Sequence, residues 1–224
     1  MERRMTSLGL TDKPVSSLKE ESLGVNDYMV ALSNFIETCE TPMTIAIQAD
    51  WGAGKTSMMN LVKERLSDSD KKIETIWFNT WQFSQFDMGD DLPISLLSQF
   101  VKRLGGEDSG EVIKKLAGLT KKAGGMLAKV ALGGAAGELI DGGSKVVDSL
   151  FENNLDVSEQ IVKLKSEIES IVSKKIAKDG NDRVVVFIDD LDRLVPEKAV
   201  ELLEVMKLFL DIPQCVFVLA VDYN

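Results

Sequence analysis

The chain contains no histidine and only two cysteines, Cys39 and Cys215, in 224 residues. The lack of histidine excludes histidine acid–base chemistry, histidine metal ligands and a Ser-His-Asp hydrolase site within this chain. The two cysteines are far apart in sequence and lie in apolar stretches. We therefore interpret them as reduced core residues and not as a disulfide or a metal site. This cysteine usage predicts a cytoplasmic protein.

A long apolar run is also missing. The charged residues 1–4 are not followed by an apolar stretch, so no secretory signal is predicted. The longest uncharged stretch between residues 105 and 150 is 130–137, far below the roughly 18–20 residues that span a bilayer. We expect no membrane-spanning helix, but an amphipathic contact of this region with a membrane surface or a protein partner remains open.

Positive charge is in deficit, with 26 lysines and arginines against 36 acidic residues and a net charge of −10. This balance does not indicate a large basic surface for duplex nucleic acid. The hydrophobic share of 44% and the charged share of 28% are typical of a globular protein. The length suits one α/β domain with an insertion.

A glycine-rich loop is the most informative feature that the chain does have. Residues 48–57 read Gln-Ala-Asp-Trp-Gly-Ala-Gly-Lys-Thr-Ser and directly follow the apolar residues 43–47. The pattern predicts a strand, a tight loop and the start of a helix, which is the context of a phosphate-binding loop. Small residues let successive backbone N–H groups turn towards phosphate oxygens, and the helix N-terminus adds its positive dipole end.

The loop supplies most of the candidate ligand contacts. Lys55 can reach the β- and γ-phosphates, and the Thr56 hydroxyl can hold Mg²⁺. Ala49 replaces the usual first glycine, which is tolerated if its φ is negative. The predicted nucleotide contacts here are Asp50, Trp51, Gly52, Ala53, Gly54, Lys55, Thr56 and Ser57.

Two of these loop residues carry further expectations. We expect the Asp50 carboxylate to point outward, since it would otherwise repel phosphate. Trp51 either packs the loop against its neighbours, which we favour, or stacks on adenine.

An acidic segment follows a second apolar run. Residues 184–188 are all of the buried type and lead into Asp189, Asp190 and Asp192, as expected when a central parallel strand delivers an acid to the ligand edge of a sheet. Asp189 together with Thr56 is the predicted Mg²⁺ site. Asp190 is placed to orient or deprotonate an attacking water, and Asp192 competes for that role. The alternative, a solvated acidic loop, is disfavoured by the phosphate loop.

Two more polar residues end predicted strands. Asn79 follows the strand predicted at 72–78 and could orient water or contact the γ-phosphate. Asp222 follows the strand predicted at 215–221 and could sense the γ-phosphate. Arg193 could pair with Asp190 or Asp192, or be offered to a neighbouring subunit.

The rest of the chain is predicted to form a lead-in at residues 1–24 and a single domain at 25–224. Within the domain, a Gly/Ala-rich segment at about 105–150 is expected to be a loosely ordered surface insertion. Apolar periodicity predicts helices at 25–40, from the loop to about 66, and at 92–104, 157–178 and 197–210.

Four segments, at residues 49–57, 79–83, 188–193 and 218–222, together resemble the KAP family of P-loop NTPases. That family has a Trp-Gly pair in its phosphate loop, here Trp51 and Gly52, and an Asn-x-Trp segment after its second strand, here starting at Asn79. It also has an Asp-Asp-Leu-Asp-Arg acidic strand end, here residues 189–193. The resemblance covers roughly residues 20–224 apart from the insertion.

The resemblance implies a three-layer α/β P-loop NTPase fold with a mostly parallel sheet of the additional-strand type. In such a sheet another strand lies between the phosphate-loop strand and the acidic strand. The family also has a fifth strand beside the phosphate-loop strand, and a lid after it. The chain stops soon after the fourth strand. We therefore expect a core truncated at that point, with residues 43–47 as an unpaired edge that favours self-association or a protein partner.

The function implied is binding of ATP with Mg²⁺ by a regulatory or signalling switch, with slow hydrolysis to ADP and phosphate. Among bacterial members of the family, defence against phage is the best guide to a biological role. Two alternatives remain: a nucleotide-responsive interaction module that does not hydrolyse ATP on its own, and a small-molecule kinase that shares the loop.

Overall fold

A parallel sheet of four strands lies at the centre of the residues that the computed structural model describes, which are 13–21, 24–84, 92–105, 109–123, 144–207 and 211–222. In chain order the strands are β1 (Met43–Gln48), β2 (Ile73–Asn79), β3 (Arg183–Asp189) and β4 (Cys215–Val221). Their order in the sheet is β1-β4-β3-β2. Strand β4 thus lies between the phosphate-loop strand and the acidic strand, which confirms the additional-strand arrangement.

The register of the strands aligns their carboxyl ends. Asn79 at the end of β2 pairs with Asp189 at the end of β3, and Gln48 at the end of β1 pairs with Val221 at the end of β4. Because all pairings are parallel, the loops that leave these four ends share one edge of the sheet.

Helices cover the two faces of the sheet. They are α1 (Asn26–Thr38), α2 (Lys55–Ser67), α3 (Thr80–Ser84), α4 (Leu92–Gly105), α5 (Ser109–Ala123), α6 (Ser144–Asp179) and α7 (Pro196–Lys207). Short 3₁₀ turns lie at Leu18–Glu20 and Leu191–Arg193. None of the helices that the structure describes combines the length and the apolarity needed to cross a bilayer.

Two separate hydrophobic cores show that the fold has three layers. Alternate residues of β3 point to opposite faces, as the pleat of a strand requires. Val184, Val186 and Ile188 belong to one core with residues of α4, α5, α6 and α7. Val185 and Phe187 belong to the other, with residues of α1 and α2. Burial on both faces explains why the segment reads as a continuous apolar run.

Strand β1 differs from β3 in being covered on one face. Met43, Ile45 and Ile47 are half-buried and pack against the core beneath α1 and α2. The alternate residues Thr44, Ala46 and Gln48 are exposed. Among the described residues, β1 pairs with β4 and no strand lies on its other side. This part of the chain therefore presents the free strand edge that the family resemblance led us to expect.

The expectation of a loosely ordered insertion at 105–150 is wrong for its first part. Residues 109–123 form α5, whose Val112 and Leu116 are buried against α4 and α6. Residues 144–150 already belong to α6, which begins thirteen residues before the predicted start at 157. The glycines and lysines obscured an amphipathic pattern that buries one apolar face. Residues 124–143 lie outside the described residues.

The remaining predicted elements agree with the structure to within a few residues. The helix expected at 197–210 runs to Lys207, and residues 208–210 lie outside the described part. Cys39 and Cys215 are both free thiols, as predicted. Burial raises the pKa of the Cys215 thiol to about 12, so this residue remains a protonated core side chain.

The packing of α5 can be tested by truncating Leu116, which is 0% exposed. Leu116→Ala should reduce the free energy of unfolding by about 2–5 kcal/mol, because it removes buried methyl groups and leaves a cavity. Lys114→Ala, on the exposed face of the same helix, should change it by less than about 0.5 kcal/mol. Urea unfolding of both variants measures the difference, and equal stability would contradict the core position of α5.

Candidate nucleotide-binding site

The loop between β1 and α2 has the backbone conformation of a phosphate cradle. Gly52 and Gly54 have φ values of 81° and 90°, which residues with a side chain rarely adopt. A Cβ added at either position would meet nothing within 4 Å, so conformation and not space requires glycine here. Within the described ranges, positive φ at non-glycine residues occurs at Asp190 and Gln214. Ala49 therefore has a negative φ, as expected for a tolerated methyl group.

Lys55, the first residue of α2, is held tightly beneath the loop. Its side chain is 8% exposed, and its Nζ lies 2.9 Å from the Asp192 Oδ2, in an ion pair with an equally buried partner. The same Nζ donates to the backbone oxygens of Ala49 at 2.9 Å and Asp50 at 3.2 Å. Since an ammonium group has three donors, every one of them has a protein acceptor in this structure.

The predicted Mg²⁺ ligands Thr56 and Asp189 lie together. The Thr56 Oγ1 donates to the Asp189 Oδ1 at 3.2 Å, and the backbone N–H of Asp190 donates to the same oxygen at 2.9 Å. The Thr80 hydroxyl donates to the Asp189 carbonyl oxygen and holds the strand end in place. One hydroxyl and one carboxylate, both hard oxygen donors, fit a Mg²⁺ ion that takes its other ligands from water and phosphate.

Asp189 is 2% exposed, and this burial is the main reason why the pKa of its carboxyl is raised. The nearby charges of Asp190 and Asp192 raise it further. The hydrogen bonds from Thr56 and from the Asp190 N–H lower it. The site therefore contains a buried acid whose ionised form is destabilised until a cation approaches.

Asp190 is fixed from two sides. The residue adopts a left-handed conformation, with φ of 61° and ψ of 27°. The Asn79 Nδ2 donates to its Oδ2, and the Arg193 Nε lies 2.7 Å from its Oδ1. The Asn79 Oδ1 in turn accepts the backbone N–H of Gln82 at 3.0 Å, so the amide end of Asn79 faces the acid. The Arg193 guanidinium also lies over the Trp81 ring, 5.2 Å from its centroid.

Most of the predicted site residues line one cleft of about 250 Å³ at the carboxyl edge of the sheet: Trp51, Gly52, Gly54, Lys55, Thr56, Ser57, Asp189, Asp190 and Asp192. Asn79 contacts Asp190 but does not line the cleft. Asp50, Ala53 and Asp222 do not line it either. Asp50 is exposed, as expected. Trp51 is 75% exposed, so the favoured interpretation that it packs the loop against its neighbours is wrong.

The amino-terminal segment also reaches this site, which the predicted lead-in at 1–24 did not anticipate. Lys13 and Pro14 line the cleft. The Val15 N–H donates to the Ser57 Oγ at 3.0 Å, and the Asn60 Nδ2 donates to the Val15 carbonyl oxygen at 3.1 Å. Glu64 accepts from the Ser17 hydroxyl and from the Leu18 N–H.

Ser57, Asn60 and Glu64 recur at intervals of three and four residues and so form one stripe on α2. That polar stripe is visible in the sequence. Nothing in the sequence pattern identifies the segment that binds to it.

The parallel sheet with its additional strand, the loop that opens α2 and the Thr56–Asp189 pair define a P-loop nucleotide-binding domain. The sequence profile of the KAP family P-loop domain matches residues 25–224. The chain therefore belongs to the KAP family of P-loop NTPases, which confirms the resemblance. A comparison with curated protein sequences gave no significant match.

Burial of Asp189 predicts a trade-off between stability and ligand binding. Because its raised pKa shows that the folded protein disfavours the ionised carboxyl, Asp189→Asn should stabilise the nucleotide-free protein at neutral pH. We expect a gain of about 1 kcal/mol, or a Tm increase of about 2–4 °C, measured by scanning calorimetry without divalent cations. The asparagine can still accept the hydrogen bonds from Thr56 and the Asp190 N–H.

The control for this prediction is Asp182→Asn, an exposed acid just before the same strand. It should leave the Tm unchanged. A lower Tm for Asp189→Asn than for the parent protein would show that the ionised carboxylate stabilises the fold, against this prediction.

Proposed function

We propose that this domain binds ATP with Mg²⁺ and hydrolyses it slowly as a regulatory switch. The main support for the proposal is that Lys55, Thr56 and Asp189 line the same cleft beside the glycine loop. This arrangement places a cation next to hard oxygen ligands. The two free thiols support a cytoplasmic location. A role in bacterial defence against phage rests on the family resemblance alone.

The loop and Lys55 would stabilise the charge of the phosphates. The N–H groups of the loop and the N-terminus of α2 face anionic oxygens, while Lys55 is positioned to reach the β- and γ-phosphates. Thr56 and Asp189 would hold Mg²⁺, which neutralises charge that develops on the phosphate oxygens. Phosphate binding requires Lys55 to exchange at least one of its present acceptors for a phosphate oxygen.

Asp190 is the residue that we assign to the attacking water. Its carboxylate is held by Asn79 and Arg193, and a fixed acceptor orients a water better than a mobile one. In the step proposed, Asp190 accepts the proton of water as the water oxygen bonds to the γ-phosphorus. The bond from that phosphorus to the β–γ bridging oxygen breaks, and ADP leaves. Asn79 is then a positioning residue and not a phosphate contact.

Asp192 has a different role in this scheme. It pairs with Lys55 in the absence of a ligand, and a phosphate competes for the same ammonium. Release of Asp192 would free the 3₁₀ turn Leu191–Arg193, which also carries the arginine bound to Asp190. Ligand binding at the loop would thereby be coupled to the position of Arg193, the exposed residue of that turn, which suits a switch better than a metabolic enzyme.

A second candidate is an interaction module that responds to nucleotide without hydrolysing it alone. The observation in its favour is the edge of β1, which no other described strand covers, and whose backbone groups are available to pair with another strand. Phosphate release by the isolated chain, measured across a range of protein concentrations, separates the two functions. Hydrolysis that appears only at high concentration favours the module.

Lys55→Ala should weaken binding of Mg·ATP by more than about tenfold, equivalent to about 1.4 kcal/mol, as measured by calorimetry. This variant also leaves the buried Asp192 carboxylate without its partner, so circular dichroism must first show an intact fold. The double variant Lys55→Ala/Asp192→Asn removes that charge and should still bind weakly.

Lys63→Ala provides a matched control, because this lysine lies on the same helix over the Trp77 ring and away from the cleft. It should bind Mg·ATP as the parent protein does. Unchanged affinity in the folded Lys55 variants would contradict the assignment of the phosphate site.

The two acids should differ in kinetics. Asp190→Asn should leave ATP affinity within a few-fold of the parent and lower the rate of phosphate release by about 100-fold or more, as for loss of a general base. Asp192→Asn should retain turnover and bind ATP more tightly, because Lys55 no longer has a competing carboxylate. If Asp192→Asn alone abolished turnover while Asp190→Asn had no effect, the assignment of the two acids would be reversed.

A further inference from the structure

A second pocket, small and apolar, adjoins the phosphate loop. Its apolar lining comes from Val15 of the amino-terminal segment, Val25 before α1, Ala53 of the loop, and Met58 and Leu61 of α2. It shares Gly54 and Ser57 with the cleft described above, so the two spaces are contiguous at the N-terminus of α2. Its volume is about 90 Å³, which suits a planar ring system and not a whole nucleotide.

Hydrogen bonds fix the walls of this pocket. The peptide of Val15 is clamped at both its N–H and its carbonyl group, by Ser57 and Asn60 respectively. Two residues further on, Glu64 holds Ser17 and Leu18. On the opposite side, the Val25 N–H donates to the Glu21 Oε1 at 3.3 Å. A preformed pocket lowers the entropy cost of binding a rigid ring.

The cleft is polar and the second pocket is mainly apolar, which matches the phosphate end and the base end of a nucleotide. The cleft contains Lys55, Thr56 and Asp189, which suit phosphates and a cation, whereas the second pocket offers mainly methyl and methylene groups. Apolar pockets with a few polar groups are typical sites for aromatic ligands. We propose that residues 13–21, together with Val25, complete a purine-base subsite, in which Val15, Val25 and Met58 contact the base while the triphosphate lies in the cleft.

A carboxylate also lines the pocket beside these apolar groups. Glu21 can accept a hydrogen bond from an exocyclic amino group, which adenine and guanine both carry. The lining therefore provides an acceptor for a purine and does not choose between the two bases.

This subsite deepens the proposed function and rests on it. Most of the segment that closes the pocket, including Val15 and Glu21, lies outside residues 25–224, which match the KAP family domain. Part of the contact with the base would therefore come from residues that the domain match does not include. The exposed Trp51 offers the competing position, in which the base would stack at the mouth of the cleft.

Calorimetry with two ligands tests the subsite on the whole chain. Mg·ATP carries the base and Mg·tripolyphosphate does not. Val15→Asp should weaken Mg·ATP binding by about tenfold or more and leave tripolyphosphate binding unchanged, because it places a charge against the base alone. Asn60→Ala, which removes one clamp and no pocket-lining side chain, should act in the same direction with a smaller effect. It also provides a second test if Val15→Asp does not fold.

Two matched controls accompany these variants. Val162→Asp makes the same substitution at an exposed valine on α6 and should change neither affinity. Trp51→Ala should leave the ratio of the two affinities unchanged, whereas a selective loss of ATP binding would place the base on Trp51 and overturn the proposal.

The remaining outcomes separate failure of the subsite from failure of the site itself. Equal losses for ATP and tripolyphosphate in Val15→Asp would show that Val15 acts through the phosphate loop, and no loss for either would show that the base lies elsewhere. Both results overturn the subsite and leave the phosphate site standing. If the parent protein bound neither ligand, and Lys55→Ala changed nothing, the proposed function would fail and the subsite with it.

Discussion

The parallel register of β2, β3 and β4 is the constraint on which the rest of the site depends. It places Asn79 beside Asp189 across two strands, although the two residues are far apart in the chain. The parallel pairing of β1 with β4 places the end of β4 next to the phosphate loop, where the Ala49 N–H donates to the Val221 carbonyl oxygen. A shift by one residue would turn the side chains of β3 to the opposite faces and move Asp189 away from Thr56.

Charge balance is the second constraint at this edge of the sheet. Three carboxylates, Asp189, Asp190 and Asp192, lie close together and are held by Thr56, Asn79, Arg193 and Lys55. Within the part of the chain that the structure describes, Asp189 has hydrogen bonds but no cationic partner of its own, which is consistent with its raised pKa. A Mg²⁺ ion held by Thr56 and Asp189 would supply positive charge to this carboxylate.

Local chemistry made much of the fold predictable. Continuous apolar runs identified β3 and β4, because strands buried on both faces need no polar alternation. Glycine at positions 52 and 54 identified the loop, because only a residue without a side chain adopts those φ values at little cost. The same reasoning failed at α5, where glycine and lysine suggested a surface insertion although Leu116 is fully buried. Composition averaged over a segment concealed the periodicity of its apolar residues.

The sequence by itself determined the phosphate loop, the acid after β3 and the family to which the chain belongs, since each depends on neighbours in the chain. Only the tertiary structure decided that Asn79 holds Asp190, that Lys55 pairs with Asp192, and that Val15 lies against α2 beside the site. These contacts join residues that are distant in sequence, and several partners would satisfy the same donors and acceptors. The packing of whole helices and strands determines which partner each residue meets. No local sequence pattern encodes that packing.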